Sequence, residues 1–420
     1  MPSTTPSPID AANTQALERI FASRPFLIGV QPAHDLLPQL SDYTVLHAGP
    51  PLGWDTMCGP MRGAILGALQ YEGWADDEAA AQSLIDTGKI ALAPCHSASA
   101  VGPMTGLITP SMPLMVVENR QYGNRAYATL NEGLGKVLRF GANDASVLQR
   151  LHWLQDVAAP ALHAALQHAE GLDLRVMMAQ ALLMGDEMHQ RNVAATSLLV
   201  RALMPHLVRA APAPEHLGEL TDYLTGNDQL FLNAAMVTAK VTMDAAAGIS
   251  GCTLVTAMSR NGTEFGVRLS ALGDRWFTAP VRMPKGLYFP GFTADDANPD
   301  IGDSAIVETF GVGAFAMAAS PAVAQFVGVG GLAEARRYTE EMLEITAGRS
   351  PHLLLPAFDG LGVPTGIDIR RVVETGLAPW INTGIAHRQA GIGQIGAGVV
   401  QAPLECFVQA LEAFADAWTG

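Results

Sequence analysis

From residue 146 to residue 248 the chain contains almost no β-rich run, while the sequence on either side alternates short apolar runs with Gly/Pro turns. This change of texture limits the fold more than any motif does. The stretches VLQRLHWLQDVAAPALHAALQHAEG, LRVMMAQALLMGDEMHQRNVAATSLLVRALMPHLV and LGELTDYLTGNDQLFLNAAMVTAKVTMDAAAG carry apolar residues at helical spacing and read as three helical hairpins or long helices. The link APAPEH (211–216) breaks them, because proline cannot continue a helix. Upstream, FLIGV (26–30), TVLHAG (44–49), KIALAPC (89–95) and PLMVVEN (113–119) read as short buried strands. RGAILGALQYEG (62–73) and DDEAAAQSLIDTG (76–88) read as helices, each closed by glycine. Downstream, CTLVTAMS, FGVRLSALG and WFTAPV restore the β texture, and helices are predicted over 332–347 and 402–418. The fold class expected is mixed α/β, or α+β, with a mainly helical middle. The parts are 1–145, 146–250 and 251–420.

With 49% apolar and only 15% charged residues, the mean hydropathy of +0.20 is high, so a membrane reading has to be tested. The longest uncharged stretch, Thr309 to Ala333, is long enough to span a bilayer. It is rich in Gly and Ala, sparse in Leu, Ile and Phe, and lacks a basic flank, so it reads as a tightly packed inner segment. The opening MPSTTPSPIDAANTQALERIF has neither a basic n-region nor a long apolar core, so it is not read as a secretory signal, and its first Ser/Thr/Pro residues read as a short disordered tail. Cys58, Cys95, Cys252 and Cys406 lie far apart with no C-x-x-C pair, which points to reduced thiols and the cytoplasm. A net charge of -15 disfavours nucleic acid and anionic membrane as partners, but a local Arg cluster still suits small anions. So apolar a chain is expected to cover part of its surface with another copy or another subunit.

GIGQIGAG (391–398) has the glycine spacing of the dinucleotide fingerprint. That fingerprint works only where a strand ends, the glycines turn, and a helix N-terminus faces the pyrophosphate. Here Pro403 falls where that helix should be running, and no second strand can follow. The stretch therefore reads as a close-approach loop, beside which Asn382 and His387 of WINTGIAH would stand, and no cofactor is expected.

Polar residues collect in a few Gly-rich stretches. In WDTMCGPMRGAILGAL, Arg62 sits in the first turn of a helix and suits a shared anion; a surface Arg is the alternative. Cys58 is a nucleophile or, more simply, a buried thiol. In APCHSASAVGPMTG, His96 follows a strand and suits general acid–base work. In VVENRQYGNRAYATLNEGLGKVLRFG, Glu118, Asn119, Arg125, Asn131 and Glu132 suit a small planar substrate bearing carboxylate, amide or phosphate, since Arg offers a fork and Asn both donates and accepts. A solvated loop held by its own hydrogen bonds is the alternative. In GDEMHQRN, expected inside a helix, Asp186 and His189 share a face; the second pair that a di-metal bundle site needs is missing, so no metal is expected. Arg260, Asn261 and Arg275 occupy turns between strand-like runs, and Asp303 with Ser304 precedes an apolar stretch as a cap.

MCGPMRGA, APCH, VGPM, VVEN with YGNRAY, LNEGLGKVLRFG, MGDE followed by H-x-R-N, GND, MSRNGTEFG, LGDRWF, NPDIGDSA, PTGIDIR and NTGIAH together resemble the YlbE/YahG-like family of bacterial proteins, over roughly residues 20–415. The resemblance implies a subunit of an oxamate carbamoyltransferase in purine and allantoin catabolism, beside an acyl-CoA-synthetase-like partner. That enzyme would exchange carbamoyl between oxalurate and phosphate, giving oxamate and carbamoyl phosphate. On this reading Arg125 and Arg260 (or Arg275) hold carboxylate and phosphate, Asn119, Asn131 or Asn261 orients the amide, and His96 moves the proton. Two other readings stand beside it: a non-catalytic structural or substrate-holding subunit, and a metal-dependent amidohydrolase.

Overall fold

The strand Pro25–Pro32 organises the N-terminal half of the chain in a computed structural model that describes residues 7–210, 213–328 and 330–419. The expected N-terminal tail, and Ala211 and Pro212 of the 211–216 link, lie outside the described residues. Pro25–Pro32 pairs antiparallel with Pro113–Asn119 on one side and with Leu172–Asp173 on the other. The sheet is completed by Arg125–Thr129, antiparallel to Pro113–Asn119, and then by Ala100–Val101 in parallel. Pro25–Pro32 and Pro113–Asn119 are buried almost throughout rather than on alternate residues, which is why FLIGV and PLMVVEN are continuous apolar runs, whereas Arg125–Thr129 alternates.

Helix Leu230–Asp244 packs against this sheet. Every residue from Leu230 to Met243 is buried, as suits a helix apolar on nearly all sides. Around it stand the other helices of the middle region, Ala145–Trp153, Ala159–His168, Leu174–Leu183, Val193–Ala210 and Pro214–Gly226. Val193–Ala210 is the one helix among the described residues long and apolar enough to cross a membrane. It lays Ala195, Leu199, Leu203 and Leu207 into the largest core at helical spacing. That core also takes Leu27 and Val117 from before residue 145 and Ile306, Phe310 and Leu353 from after residue 250, so the three parts share one interior.

The C-terminal part holds a four-stranded antiparallel sheet, ordered Phe277–Pro280, Glu264–Leu269, Val255–Asn261, Ile301–Gly302. A three-stranded one follows, ordered Lys285–Tyr288, Gln394–Gln401, Trp380–Ala386. The fold is mixed α/β as expected. Among the described residues, parallel pairing is confined to Thr44–His47 with Ala91–Pro94 and to Ala100–Val101 with Arg125–Thr129. The uncharged run from Thr309 forms a one-turn helix end, a 3-10 segment Gly313–Ala319 with Gly313 to Ala318 buried, and a short helix Pro321–Phe326. As far as Ser320 it is an inner packing segment, as its small residues predict; beyond that it comes to the surface, with Pro321, Ala322, Gln325 and Leu332 exposed.

GIGQIGAG is a bend that runs into the strand Gln394–Gln401, and the helix that follows, Leu404–Thr419, starts only past the end of that strand, not at the glycines. Its glycines serve strand-to-strand approach: a Cβ on Gly396 would collide with the Leu287 carbonyl oxygen, and one on Gly398 with that of Lys285. Gly396→Ala should therefore lower stability by about 2 kcal/mol, as overpacking does. Gly53→Ala, where a Cβ meets nothing within 4 Å, should stay within about 0.5 kcal/mol of the parent. Urea unfolding of the two variants reads the difference, and equal losses would contradict the close-approach account.

Candidate functional site

Loops from all three parts of the chain meet at a cavity of about 110 Å³. Its walls come from Met104, from Arg139 and Phe140, from His189 and Gln190, from Gln229 and Leu232 at the start of the central helix, and from Ser304, Phe289, Gly384 and Gln394. Two residues at this place hold left-handed backbone conformations without being glycine, Met104 (φ 56) and, next to His189, Met188 (φ 62). Such strain persists only where the surroundings impose it. At Met104 the cause is visible: Gly302, itself at φ 123, packs so closely that a Cβ there would sit 2.7 Å from the Met104 nitrogen.

GDEMHQRN is not helical. It is the connection between helices Leu174–Leu183 and Val193–Ala210. Asp186 consequently does not meet His189; it binds Arg191 Nε at 2.9 Å and accepts the Ala195 N–H, capping the next helix. His189 turns inward instead. Its Nδ1 lies 2.7 Å from Glu308 Oε1, and both side chains are buried. Glu308 Oε1 also accepts the backbone N–H groups of Ala314 and Asn382, so Nδ1 of His189 carries the shared hydrogen and Nε2 is left for the cavity that the ring lines. Behind His189 lies Glu187, which accepts from the backbone N–H of His189, Gln190 and Arg191 and from Asn382 Nδ2. Burial pushes its carboxyl up to about 7, and the nearby Glu308 charge adds to that, against the lowering effect of His189 and the N–H donors. An imidazole held by one buried carboxylate and backed by a second is chemically able to accept and return a proton.

Arg139 brings the guanidinium to the wall. It is 7% exposed, its Nη2 donates to the Gly133 carbonyl, and its Nε meets no protein acceptor. Burial lowers it to about 10 while Glu132 holds it up. The half-buried Glu132 accepts the backbone N–H groups of Leu138 and Arg139, and burial raises its carboxyl above the usual range. Arg139 also borders a second, smaller cavity that Glu132, Thr105 and Asn233 line. Ser304 is presented from beneath by Arg260, which is fully buried and binds Asp300, the Gly302 carbonyl, Ser304 Oγ and Thr383 Oγ1.

One layer deeper, Asp303 accepts the N–H groups of Gly49 and Gly102 and the Ser259 hydroxyl, 3.4 Å from His96 Nε2. Burial works against its charge, but His96 and these donors outweigh it and hold Asp303 below the ordinary range. Burial lowers His96. His96 packs edge-on to Trp276 and does not line the cavity.

The sequence-predicted residues thus separate. His189 lines the cavity, while Arg260, Asp303 and His96 support it from behind. Arg125 lies on the exposed face of a hairpin, directly opposite Glu118, with Nε and Nη2 both on the Glu118 carboxylate. Asn119 closes the same hairpin by bonding Ser23 and Arg24. Asn131 binds Asn233 and, through its carbonyl, Tyr223 and Asn227. Arg62 donates to the Asp55 carbonyl and stacks on Trp54. Asn261 caps its turn by accepting from Thr263 and Glu264 and donates to Pro50. Arg275 is exposed over Phe277. The loops 118–132 and 260–275 therefore do not close on one anion pocket through their arginines. Glu187, Glu308, Gln229 and Gln394 are the residues that sequence reasoning passes over; Arg139 it counts in the polar stretch 116–141 but gives no role. A usable signal was present at Glu308, a lone acid inside the apolar run AIVETFGVGAF. Among the described residues no group of three or more His, Cys, Asp or Glu side chains is placed to hold a metal.

Residues 90–304 match the family described as oxamate carbamoyltransferase subunit AllG. The chain is 54% identical to oxamate carbamoyltransferase subunit AllG of Escherichia coli K12, over 96% of this chain and 97% of that one. It is 47% identical to the uncharacterized protein YahG of the same organism, over 96% and 85%. A crystal structure of a conserved protein of unknown function from Enterococcus faecalis V583 shares the fold with a TM-score of 0.95 and 48% identity, covering 97% of this chain and 98% of that one.

Glu187 makes a pH prediction. Its folded value of about 7 lies above the ordinary 4.5, so between those two pH values the folded chain holds a proton that the unfolded chain has released. Stability then falls as pH rises through this window, by on the order of 3 kcal/mol, and is flat above it. Glu187→Gln should remove that slope. Unfolding midpoints measured from pH 4.5 to 8 check it, and parallel profiles for parent and variant would refute it.

Proposed function

The chain belongs to the family of the oxamate carbamoyltransferase subunit AllG, and from that premise we propose that it is such a subunit and holds its substrates in the cavity of Arg139 and His189. What carries this reading is a buried guanidinium with a free N–H on the wall of a small cavity that also presents an imidazole backed by a buried carboxylate. Oxalurate, oxamate and carbamoyl phosphate each join an anionic group to an amide, which suits that pairing.

In the reaction proposed, an oxygen of phosphate attacks the carbamoyl carbon of oxalurate. The new C–O bond forms, the C–N bond to the oxamate unit breaks, and the proton given up by phosphate reaches the leaving nitrogen. His189 Nε2 takes and returns that proton, and Glu308 stabilises the imidazolium between the two steps. Arg139 holds the substrate anion, and Ser304, aligned by Arg260, donates a further hydrogen bond. No covalent intermediate is required. The proposal includes a synthetase-like partner subunit, self-association, a cytoplasmic setting in which the four free cysteines stay reduced, and a place in allantoin breakdown.

The test is oxamate-dependent release of phosphate from carbamoyl phosphate, followed with and without the partner subunit. Arg139→Ala should weaken carbamoyl phosphate binding by about 10- to 100-fold, the worth of a charge-assisted hydrogen bond. His189→Asn should cut turnover by about 100-fold with binding little changed. Arg125→Ala should behave as the parent. Loss in Arg125→Ala with retention in Arg139→Ala would move the site to the hairpin.

A further inference from the structure

The cavity wall is uneven in what it offers a ligand. Among the described residues Arg139 is the one guanidinium on it, and Glu132 sits beside that charge. The other polar groups are the imidazole of His189, the Ser304 hydroxyl and the carboxamides of Gln190, Gln229 and Gln394. Two of these have an acceptor atom with no protein partner among the described residues. His189 uses Nδ1 on Glu308, which leaves Nε2. Gln394 is oriented by one amide hydrogen on the Gly396 carbonyl at 2.9 Å, which leaves Oε1 as an acceptor. Gln229 is held in place and adds no such freedom, since its nitrogen donates to the Gln190 carbonyl and its oxygen accepts from Asn192. Behind His189 stand two buried carboxylates, Glu187 and Glu308, with no buried Lys or Arg hydrogen-bonded to either among the described residues.

We propose that this site selects a carboxamide adjoining a single carboxylate and rejects the dicarboxylate of the same shape, with His189 and Gln394 as the specificity-determining pair. The inference rests on the reading of the cavity as the substrate site. A primary amide brings two N–H donors, which His189 Nε2 and Gln394 Oε1 accept, while its neighbouring carboxylate goes to Arg139. A second carboxylate in the amide's place brings no donor. It sets its lone pairs against two acceptors and its charge against the field of Glu187 and Glu308. A site built to receive N–H groups rejects an analogue lacking them far more strongly than an apolar pocket rejects a change of size.

Oxamate and oxalate are the matched probes, titrated calorimetrically into the full chain at pH 7.5. Oxamate should bind at least ~100-fold more tightly than oxalate. Gln394→Met, which removes the acceptor, should shrink the preference to about 10-fold or less. Gln394→Lys, which adds a donor and a charge, should tighten oxalate and weaken oxamate. Thermal unfolding of both variants shows that they remain folded. Equal binding of the two anions by the parent, or a preference untouched by both Gln394 variants, would overturn the selectivity while leaving the cavity reading in place. Binding of neither anion to the parent would overturn the cavity reading and this inference with it.

Discussion

The carboxylate of Glu308 is fully buried, and one of its oxygens joins three parts of the fold while the other meets no hydrogen-bond donor among the described residues. Glu308 gathers the backbone N–H of Ala314, that of Asn382 and the imidazole of His189 on one oxygen. The chain can fold back to bring Ala314 there because Gly313 takes φ 64, and any Cβ on it would collide with that same carboxylate. A polar group in an apolar interior costs free energy unless hydrogen bonds are made to it, and those made to Glu308 all fall on Oε1. This one residue therefore ties together the helical middle, through His189, the short helix it sits on, and the last sheet, through Asn382.

The same economy of polar groups recurs in layers behind the cavity. Arg260 has its guanidinium engaged by Asp300, Ser304, Thr383 and the Gly302 carbonyl. Asp303 is engaged by Ser259 and two backbone N–H groups. These sites are closed, and a closed polar network rigidifies what stands on it. What they support is the turn 300–304, which presses on the strained backbone at Met104 and presents Ser304. Arg139 and His189 differ from them in having an atom left over. An unfinished hydrogen-bond inventory beside a cavity separates a group that meets a ligand from one that holds a wall.

Much of the architecture was legible in the residues. PLMVVEN is a strand over the same seven positions, Pro113–Asn119, and the helical texture of 146–248 forms helices, interrupted within its long runs at 184–192 and 227–229. Both follow from periodicity, which depends only on neighbours within a few positions. The site was legible only in part. GDEMHQRN was marked as chemical, but its Asp186–His189 spacing suggested a helix face, whereas Gly185 at φ 93 ends the helix and sends His189 to a residue 119 positions away.

The sequence by itself determined a mixed α/β chain with a helical middle, a glycine-rich stretch near the C-terminus unfit for a dinucleotide, and the family to which the chain belongs. These are local patterns or whole-chain matches, and neither needs to know which side chains meet. Tertiary structure alone decided which arginine faces a cavity. Arg125 and Arg139 stand fourteen positions apart in one polar stretch and look alike in it. Strand pairing puts Glu118 directly opposite Arg125 and neutralises it in solvent. The turn at Leu138–Phe140 folds Arg139 inward and leaves one of its N–H groups unmet. Charge becomes function only where burial removes water and the protein withholds a partner, and that is a property of the packed chain.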